Sequence, residues 1–261
     1  SEIFCDGKIY TRYLNSYSYQ PNTIDVVRSG TMTTIQDYPG RQGYWDIGVP
    51  TSGPFDNYSF RLANKIIGNA ESSAGLEITL NGPKLVFNAA SCVCVVGAEF
   101  SCTLDGKPID LGKAIPISAG QTLDIGKAPT AGARCYLAIA GGLCVEPYLG
   151  SRSTFTLGQF GGFSGRALRV GDVLHLNGET ASTFTSSAPS QKQSPEEAVL
   201  PILSNECELR VIYGPHGAPD FFTPNDINTF FSTSWKVHYN SSRTGIRLIG
   251  PKPEWARSDG G

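Results

Sequence analysis

The chain has 261 residues, 40% hydrophobic and 17% charged, a balance that belongs to a globular protein and excludes an extended disordered one. Its formal net charge is −2 with no long run of one sign, so the basic footprint of a nucleic-acid-binding protein is missing. No stretch approaches the roughly 20 apolar residues that span a bilayer, and no basic segment followed by an apolar core opens the chain, so neither a membrane span nor a signal peptide is expected.

In chain order, Ile9, Tyr10, Tyr13 and Leu14 fit a short helical stripe that Pro21 ends; residues 1–23 are expected to be the tail of a preceding domain. Ile24 to Val27 is a strand candidate. It leads into a stretch dense in Gly, Pro and aromatics, with turn signals at Asp37-Tyr38-Pro39-Gly40 and Ser52-Gly53-Pro54. Asp56 can cap a helix whose buried face is Phe60, Ala63, Ile66 and Ile67 and whose stop is Gly68-Asn69. From Gly75 to Leu176 short strands follow one another: Leu76–Leu80, Leu85–Phe87, Val93–Val96, Phe100–Leu104, Tyr136–Ala140 and Val173–Leu176. Asp105-Gly106 reads as a tight hairpin turn. Short strands at such spacing predict a barrel or sandwich over residues 24–178.

Thr, Ser, Pro, Gln and Lys dominate Thr180–Ser194, so residues 179–205 read as a linker or long loop. After it, Leu209–Tyr213 restarts the strand pattern and Thr223-Pro224-Asn225-Asp226 is a helix start. Val237–Tyr239 and Ile246–Ile249 are further strand candidates. Residues 206–261 thus echo the opening of the first domain and are expected to be a second β domain that the chain end cuts short. The fold class is mainly β with few short helices, and the chain is expected to be a piece of a larger protein that completes no catalytic cycle alone.

Seven cysteines occur without any Cys-x-x-Cys pair, and His175, His216 and His238 are scattered. No metal site is expected; the pattern predicts reduced, buried thiols and a cytoplasmic setting, with Cys92 and Cys94 on one side of a strand. No phosphate-binding Gly-x-x-x-x-Gly-Lys and no Gly-x-Gly-x-x-Gly is present. Gly162-Phe163-Ser164-Gly165 resembles a nucleophile elbow, but Arg166 stands where the last Gly is required. What remains is three sets of polar groups on Gly/Pro-rich turns. The first is Arg41, Asp46, Ser52, Asp56, Arg61 and Asn64. The second is Gly161-Gly162 with Arg152 and Arg166. The third is His216, Asp220, Asn240, Arg243, Arg247 and Lys252. Taken singly, each has a plain structural reading: Asp56 as a cap, Arg61 as solvent face, Arg152 as a loop-pinning donor. Together they favour a small polar or anionic ligand, because Arg, Lys and Asn offer planar or multiple donors to a carboxylate, carboxamide or ureido group.

The same residues carry a resemblance. Asp37 to Trp45 (Asp-Tyr-Pro-Gly-Arg-Gln-Gly-Tyr-Trp) and Gly48 to Asp56 resemble the signature of the allophanate hydrolase subunit 2 family, whose relatives include Kip-type kinase-inhibitor partners and the C subunit of bacterial oxoprolinase. Leu76-Glu77-Ile78-Thr79, Gly82-Pro83 and Gly150–Thr154 continue it. Gly214–Phe222, His238–Gly245 and Gly250–Trp255 are similar to the carboxyltransferase region of biotin-dependent urea carboxylases, and residues 1–21 to the end of a biotin carboxylase domain. Phe55 departs from the family's usual Met, an apolar swap of similar bulk.

The resemblance implies paired cyclophilin-like β-barrels and a carboxyltransferase fragment that moves a carboxyl group from carboxybiotin to urea. The biotin rides on a carrier domain outside this chain, and ATP is used by a separate domain. The implied partners are those domains, the companion carboxyltransferase half and urea. The only methionine, Met32, lies between threonines, so no biotin-bearing lysine flanked by methionines is present here. The implied donors are Asn240, Arg243 and Lys252, with Asp56 and Asp220 as acceptors for urea N–H groups and His216 as a proton carrier. Ser52, Gly53 and Tyr239 are implied to contact the cofactor. The resemblance also leaves open a Kip-like regulatory protein or the C component of an oxoprolinase.

Overall fold

The computed structural model describes residues 22–128, 131–177, 200–241, 243 and 245–259. The helical stripe expected over Ile9–Leu14 and the linker expected over Thr180–Ser194 lie outside the described residues. The chain divides into two compact units, Ser1–Asn205 and Glu206–Gly261.

The first unit is built from eleven strands and one α-helix among its described residues. In chain order these are β1 (Thr23–Arg28), β2 (Met32–Gln36), α1 (Asn57–Ile66), β3 (Gly75–Thr79), β4 (Lys84–Phe87) and β5 (Ser91–Gly97). Then come β6 (Cys102–Leu104), β7 (Lys107–Pro108), β8 (Ile115–Ile117), β9 (Thr122–Ile125), β10 (Arg134–Ile139) and β11 (Val173–His175). They form a six-stranded sheet in the order β11-β1-β4-β9-β6-β7 and a five-stranded sheet in the order β2-β3-β10-β5-β8, and every pair is antiparallel. The mainly β reading therefore holds. Single bridges, Asn81 to Lys127 and Leu143 to Leu176, tie strand ends of one sheet to the other. Continuous pairing that would close the two sheets into one barrel is absent among the described residues.

The five-stranded sheet is covered on both faces, which explains its apolar runs. Strand residues alternate between faces. Leu76, Ile78, Cys135, Leu137 and Ile139 join Ile24, Val26, Leu85, Phe87, Leu123 and Ile125 of the other sheet in the main core. The alternate residues Cys92, Cys94, Val96 and Ala138 pack beneath Ala63 of α1 and Ile67 just after it. Each fully buried Ile, Leu or Phe contributes about 1.5–3 kcal/mol. The four buried thiols are divided between the two layers: Cys92 and Cys94 share a face, as the alternation predicted, while Cys102 and Cys135 face the main core. Cys144 and Cys207 are exposed rather than buried as expected, and Cys5 lies outside the described residues.

Local signals in the sequence operate as chemistry requires. Asp56 caps α1 through Ser59 N–H at 3.1 Å. Gly68 ends the segment with φ 76°. Asp105 and Gly106, at φ 49° and 78°, make the two-residue turn between β6 and β7.

The second unit holds α2 (Pro224–Ser232) and a two-stranded antiparallel pair, β12 (Lys236–Val237) with β13 (Leu248–Ile249). Thr223 and Asp226 form a reciprocal capping box at the start of α2. The strand predicted over Leu209–Tyr213 is not formed, because a strand exists only by pairing and no described strand pairs with it. The strands predicted over Val237–Tyr239 and Ile246–Ile249 shorten to two residues each. None of the described residues of this unit is buried; Ile212 is 95% exposed and Tyr213 69%.

Candidate functional site

In the first unit the two polar sets meet where the turn after β2 crosses the loop after β10. Asp37 is the junction. Its carboxylate accepts from the Ser151 hydroxyl at 2.5 Å, the Ser153 hydroxyl at 2.6 Å and Arg152 N–H at 2.7 Å. Four residues on, Arg41 is completely buried. Its guanidinium donates to the Tyr148 carbonyl at 3.1 Å and the Ser153 carbonyl at 3.0 Å, and lies 4.8 Å from the Phe160 ring centroid. Burial pulls its pKa below the ordinary value, against the raising influence of Asp37. Gly161 closes over it: at φ 69°, a Cβ there would meet Arg41 Nη2 at 2.8 Å. Arg41 is therefore a pin rather than a ligand group. Arg152 plays the loop-pinning part expected of it, donating to the Val145 carbonyl at 2.8 Å. Arg166 pairs with Asp172 at 2.8 Å.

These pins present a mostly exposed segment, residues 42–58, in which Gly53, expected to contact the cofactor, is buried instead. Gly40 and Gly53 pass so closely that a Cβ on Gly40 would lie 2.5 Å from the Thr51 carbonyl. Ser52 and Gly53 follow at φ 55° and 78°. Trp45 and Ile47 are each 66% exposed, and Phe55 and Tyr58 are half-exposed. Asp56 is partly exposed, and its carboxylate also accepts from the Ser59 hydroxyl at 2.5 Å. Asp46 is exposed. Arg61, instead of a bare solvent face, donates to Glu71 at 2.6 Å and covers the Tyr38 ring at 4.8 Å. Asn64 is buried and donates to the Ser73 carbonyl, which removes it from the candidate ligand groups.

Beneath this segment lies a network that the polar-set reading missed. Glu77 on β3 and Tyr136 on β10 are direct cross-strand partners, 3% and 0% exposed. Glu77 Oε2 accepts from Phe55 N–H at 2.7 Å and from the Tyr136 hydroxyl at 3.2 Å, and the Tyr136 oxygen accepts from Asp56 N–H at 2.7 Å. Burial, then the neighbouring Glu77 charge, drives the Tyr136 pKa upward, so it stays a neutral phenol. Arg134 stacks 4.3 Å from the Phe55 centroid, with Nε 3.7 Å from Glu77 Oε1. The available signal was a carboxylate and a phenol inside otherwise apolar runs, which burial tolerates only with partners.

The third set lies within the second unit. His216 packs edge-on to Phe221 at 4.5 Å, and Arg257 covers Phe221 at 3.9 Å while donating to the Asp220 carbonyl at 3.2 Å. His238 stacks on Tyr239 at 4.2 Å, and its Nδ1 accepts from Asn240 N–H at 3.0 Å. Asn240, Arg243, Arg247 and Lys252 are exposed. A largely apolar groove of about 440 Å³ also lies in this unit; His216 and Lys252 are the two predicted site residues that line it, with Tyr213, Phe222, Phe230 and Trp235, while Asn240 and Arg243 do not. Among the described residues no group of three or more His, Cys, Asp or Glu could hold a metal ion, and no helix is long and apolar enough to cross a membrane.

Comparison with known proteins identifies the family. A family model described as carboxyltransferase domain, subdomain A and B, matches residues 47–260. The urea amidolyase of Lachancea kluyveri is 52% identical over 264 residues, which cover 100% of this chain and 14% of that protein. The C component of the 5-oxoprolinase of Escherichia coli is 32% identical over 227 residues, 87% of this chain and 68% of that one. The crystal structure of the Kluyveromyces lactis urea carboxylase superposes with a TM-score of 0.81 at 48% identity, over 100% of this chain and 23% of that chain. The chain thus spans a small part of the urea-processing relatives it matches, and it belongs to the carboxyltransferase domain family, subdomain A and B.

Proposed function

We propose that this chain is part of the carboxyltransferase of a biotin- and ATP-dependent urea carboxylase, and that it helps move a carboxyl group onto a urea nitrogen to form allophanate. The observation that carries the reading is similarity to a urea amidolyase over the whole chain, against 87% of it for the oxoprolinase component. The second unit supports a place within a larger protein: with none of its described residues buried and several large apolar side chains exposed, it has too little core to stand alone.

Biotin, on a carrier domain outside this chain, would supply the carboxyl group when bound. The exposed amide, guanidinium and ammonium of Asn240, Arg243 and Lys252 fit the ureido oxygen and the carboxylate by their chemistry. Their part is to hold that oxygen and stabilise the charge that grows on it. Ser52, partly exposed on a turn with positive φ, and Tyr239, 87% exposed, offer further contacts; Gly53 is buried and serves the turn rather than the cofactor. Each unit offers a carboxylate acceptor for urea N–H groups, Asp56 in the first and Asp220 in the second; a carboxylate has about four acceptor sites, so Asp56 keeps capacity after serving Ser59. His216 carries the proton released from urea nitrogen.

The test uses the full-length protein. Asn240→Ala and Arg243→Ala are expected to cut allophanate formation by about 100-fold, the order seen when one oxyanion donor is removed, while biotin-dependent ATP cleavage persists. Unchanged allophanate formation in both variants would sink the assignment. Turnover of 5-oxoproline instead of urea would move the chain to the oxoprolinase reading.

A further inference from the structure

We propose that Glu77 and Tyr136 are positioning residues of the carboxyltransferase site, holding the Ser52–Asp56 turn through two consecutive backbone N–H groups. The inference rests on the reading of that turn as part of the site. Neither residue can touch a ligand, since both are buried. Their polar contacts nevertheless converge on Phe55 and Asp56, where the turn enters α1. The turn itself is under conformational constraint at Ser52 and Gly53, where the chain takes positive φ. A turn of that kind keeps its shape only when its surroundings over-determine it.

The physical argument is one of alternatives. The cross-strand neighbours on the other face, Leu76 and Ile78 against Cys135 and Leu137, are apolar and hold β3 and β10 together without a buried charge. An apolar pair of similar volume at positions 77 and 136 would serve the sheet as well or better, because burying a carboxylate costs more than packing restores. What an apolar pair cannot do is accept two hydrogen bonds from the turn above. Arg134 adds a second grip by stacking on the Phe55 ring from the Glu77 side. The clamp thus fixes both main chain and side chain of Phe55, and with them the direction from which Asp56 presents its carboxylate.

The experiment uses the full-length protein with Glu77→Ala, Glu77→Gln and Tyr136→Phe, and Asp56→Asn as a separate arm. Thermal midpoint and urea-dependent steady-state kinetics are measured for each. Tyr136→Phe and Glu77→Ala are expected to lower kcat and kcat/KM together by about 10-fold or more, the signature of a misplaced reacting group. Glu77→Gln keeps an acceptor for Phe55 N–H and is expected to recover most of that loss. Should Glu77→Ala fail to fold, Tyr136→Phe against Glu77→Gln gives the same decision. Folded Tyr136→Phe protein with unchanged kcat overturns the proposal, as does a Glu77→Gln loss as large as that of Tyr136→Phe. Asn is a good helix cap, so Asp56→Asn tests the underlying reading without removing the cap. If Asp56→Asn keeps full kcat, the reading of the turn as part of the site fails; if it falls while Tyr136→Phe does not, only the clamp fails.

Discussion

Asp37 and Ser153, 116 residues apart in sequence, hold each other twice: the Ser153 hydroxyl donates to Asp37 Oδ1 at 2.6 Å, and Asp37 N–H donates to Ser153 Oγ at 3.0 Å. Two loops that carry family motifs are thereby locked into one body. Asp37→Ala would leave the Ser151 and Ser153 hydroxyls and Arg152 N–H without their acceptor. A loss of about 3 kcal/mol is expected, read as a lower denaturant midpoint for the first unit. Asp37→Asn keeps one acceptor oxygen and should lose less.

Arg41→Lys is the matching test on the other side of the junction. The guanidinium reaches two carbonyls and the Phe160 ring at once, which a single ammonium cannot reproduce. Loss of one charged hydrogen bond in a buried place is expected to cost about 2 kcal/mol. Gly161→Ala should be at least as damaging, since its Cβ would strike Arg41 and its φ is positive. Thermal midpoints of both variants and the parent protein, measured side by side, check the ranking.

Thiol reactivity should separate the cysteines cleanly. Burial pushes the Cys94 and Cys102 thiols up to about 12 and raises those of Cys92 and Cys135 as well. Cys144 and Cys207 are exposed. Brief alkylation at about pH 8, followed by peptide mass spectrometry, is expected to mark Cys144 and Cys207 and to spare the four buried thiols until denaturant is added. Early modification of Cys94 or Cys135 would contradict the two-layer packing.

Asp172 gives a pH test. Its burial works to raise the carboxyl pKa, but the bidentate Arg166 guanidinium and Arg169 N–H outweigh it, and the net shift is downward. With a folded pKa below an unfolded value of about 3.9, the contribution to stability is fully present above that unfolded value. It is lost as pH falls through the folded pKa. Carbon-detected titration of Asp172 should show a midpoint below 3.8, the ordinary value, and Arg166→Ala should move it upward.

Much of the scaffold was legible because its signals are local. A cap at Asp56, a stop at Gly68, the Asp105-Gly106 turn and the alternation of Cys92 with Cys94 depend on residues within a few positions of one another. The failure at Leu209–Tyr213 has the opposite cause. Those residues have the side chains of a strand, but a strand needs a hydrogen-bonding neighbour, and the second unit supplies none among its described residues.

For the candidate site, the residue types and their Gly/Pro-rich settings by themselves determined that this chain presents polar groups on preset turns and resembles a carboxyltransferase. Which polar groups face outward was decided only by the fold. Arg41, Asn64 and Arg166 looked equivalent to Asn240, Arg243 and Lys252 in sequence, yet Arg41 and Asn64 are buried against carbonyls of the scaffold and Arg166 is paired with Asp172, whereas Asn240, Arg243 and Lys252 are exposed. Glu77, present in a family motif but given no role there, and Tyr136, outside the motifs, became visible as a pair only as cross-strand partners beneath Phe55 and Asp56. The reason is that burial and hydrogen-bond partnership are properties of residues far apart in the chain, and only tertiary structure brings the partners within about 3 Å of each other.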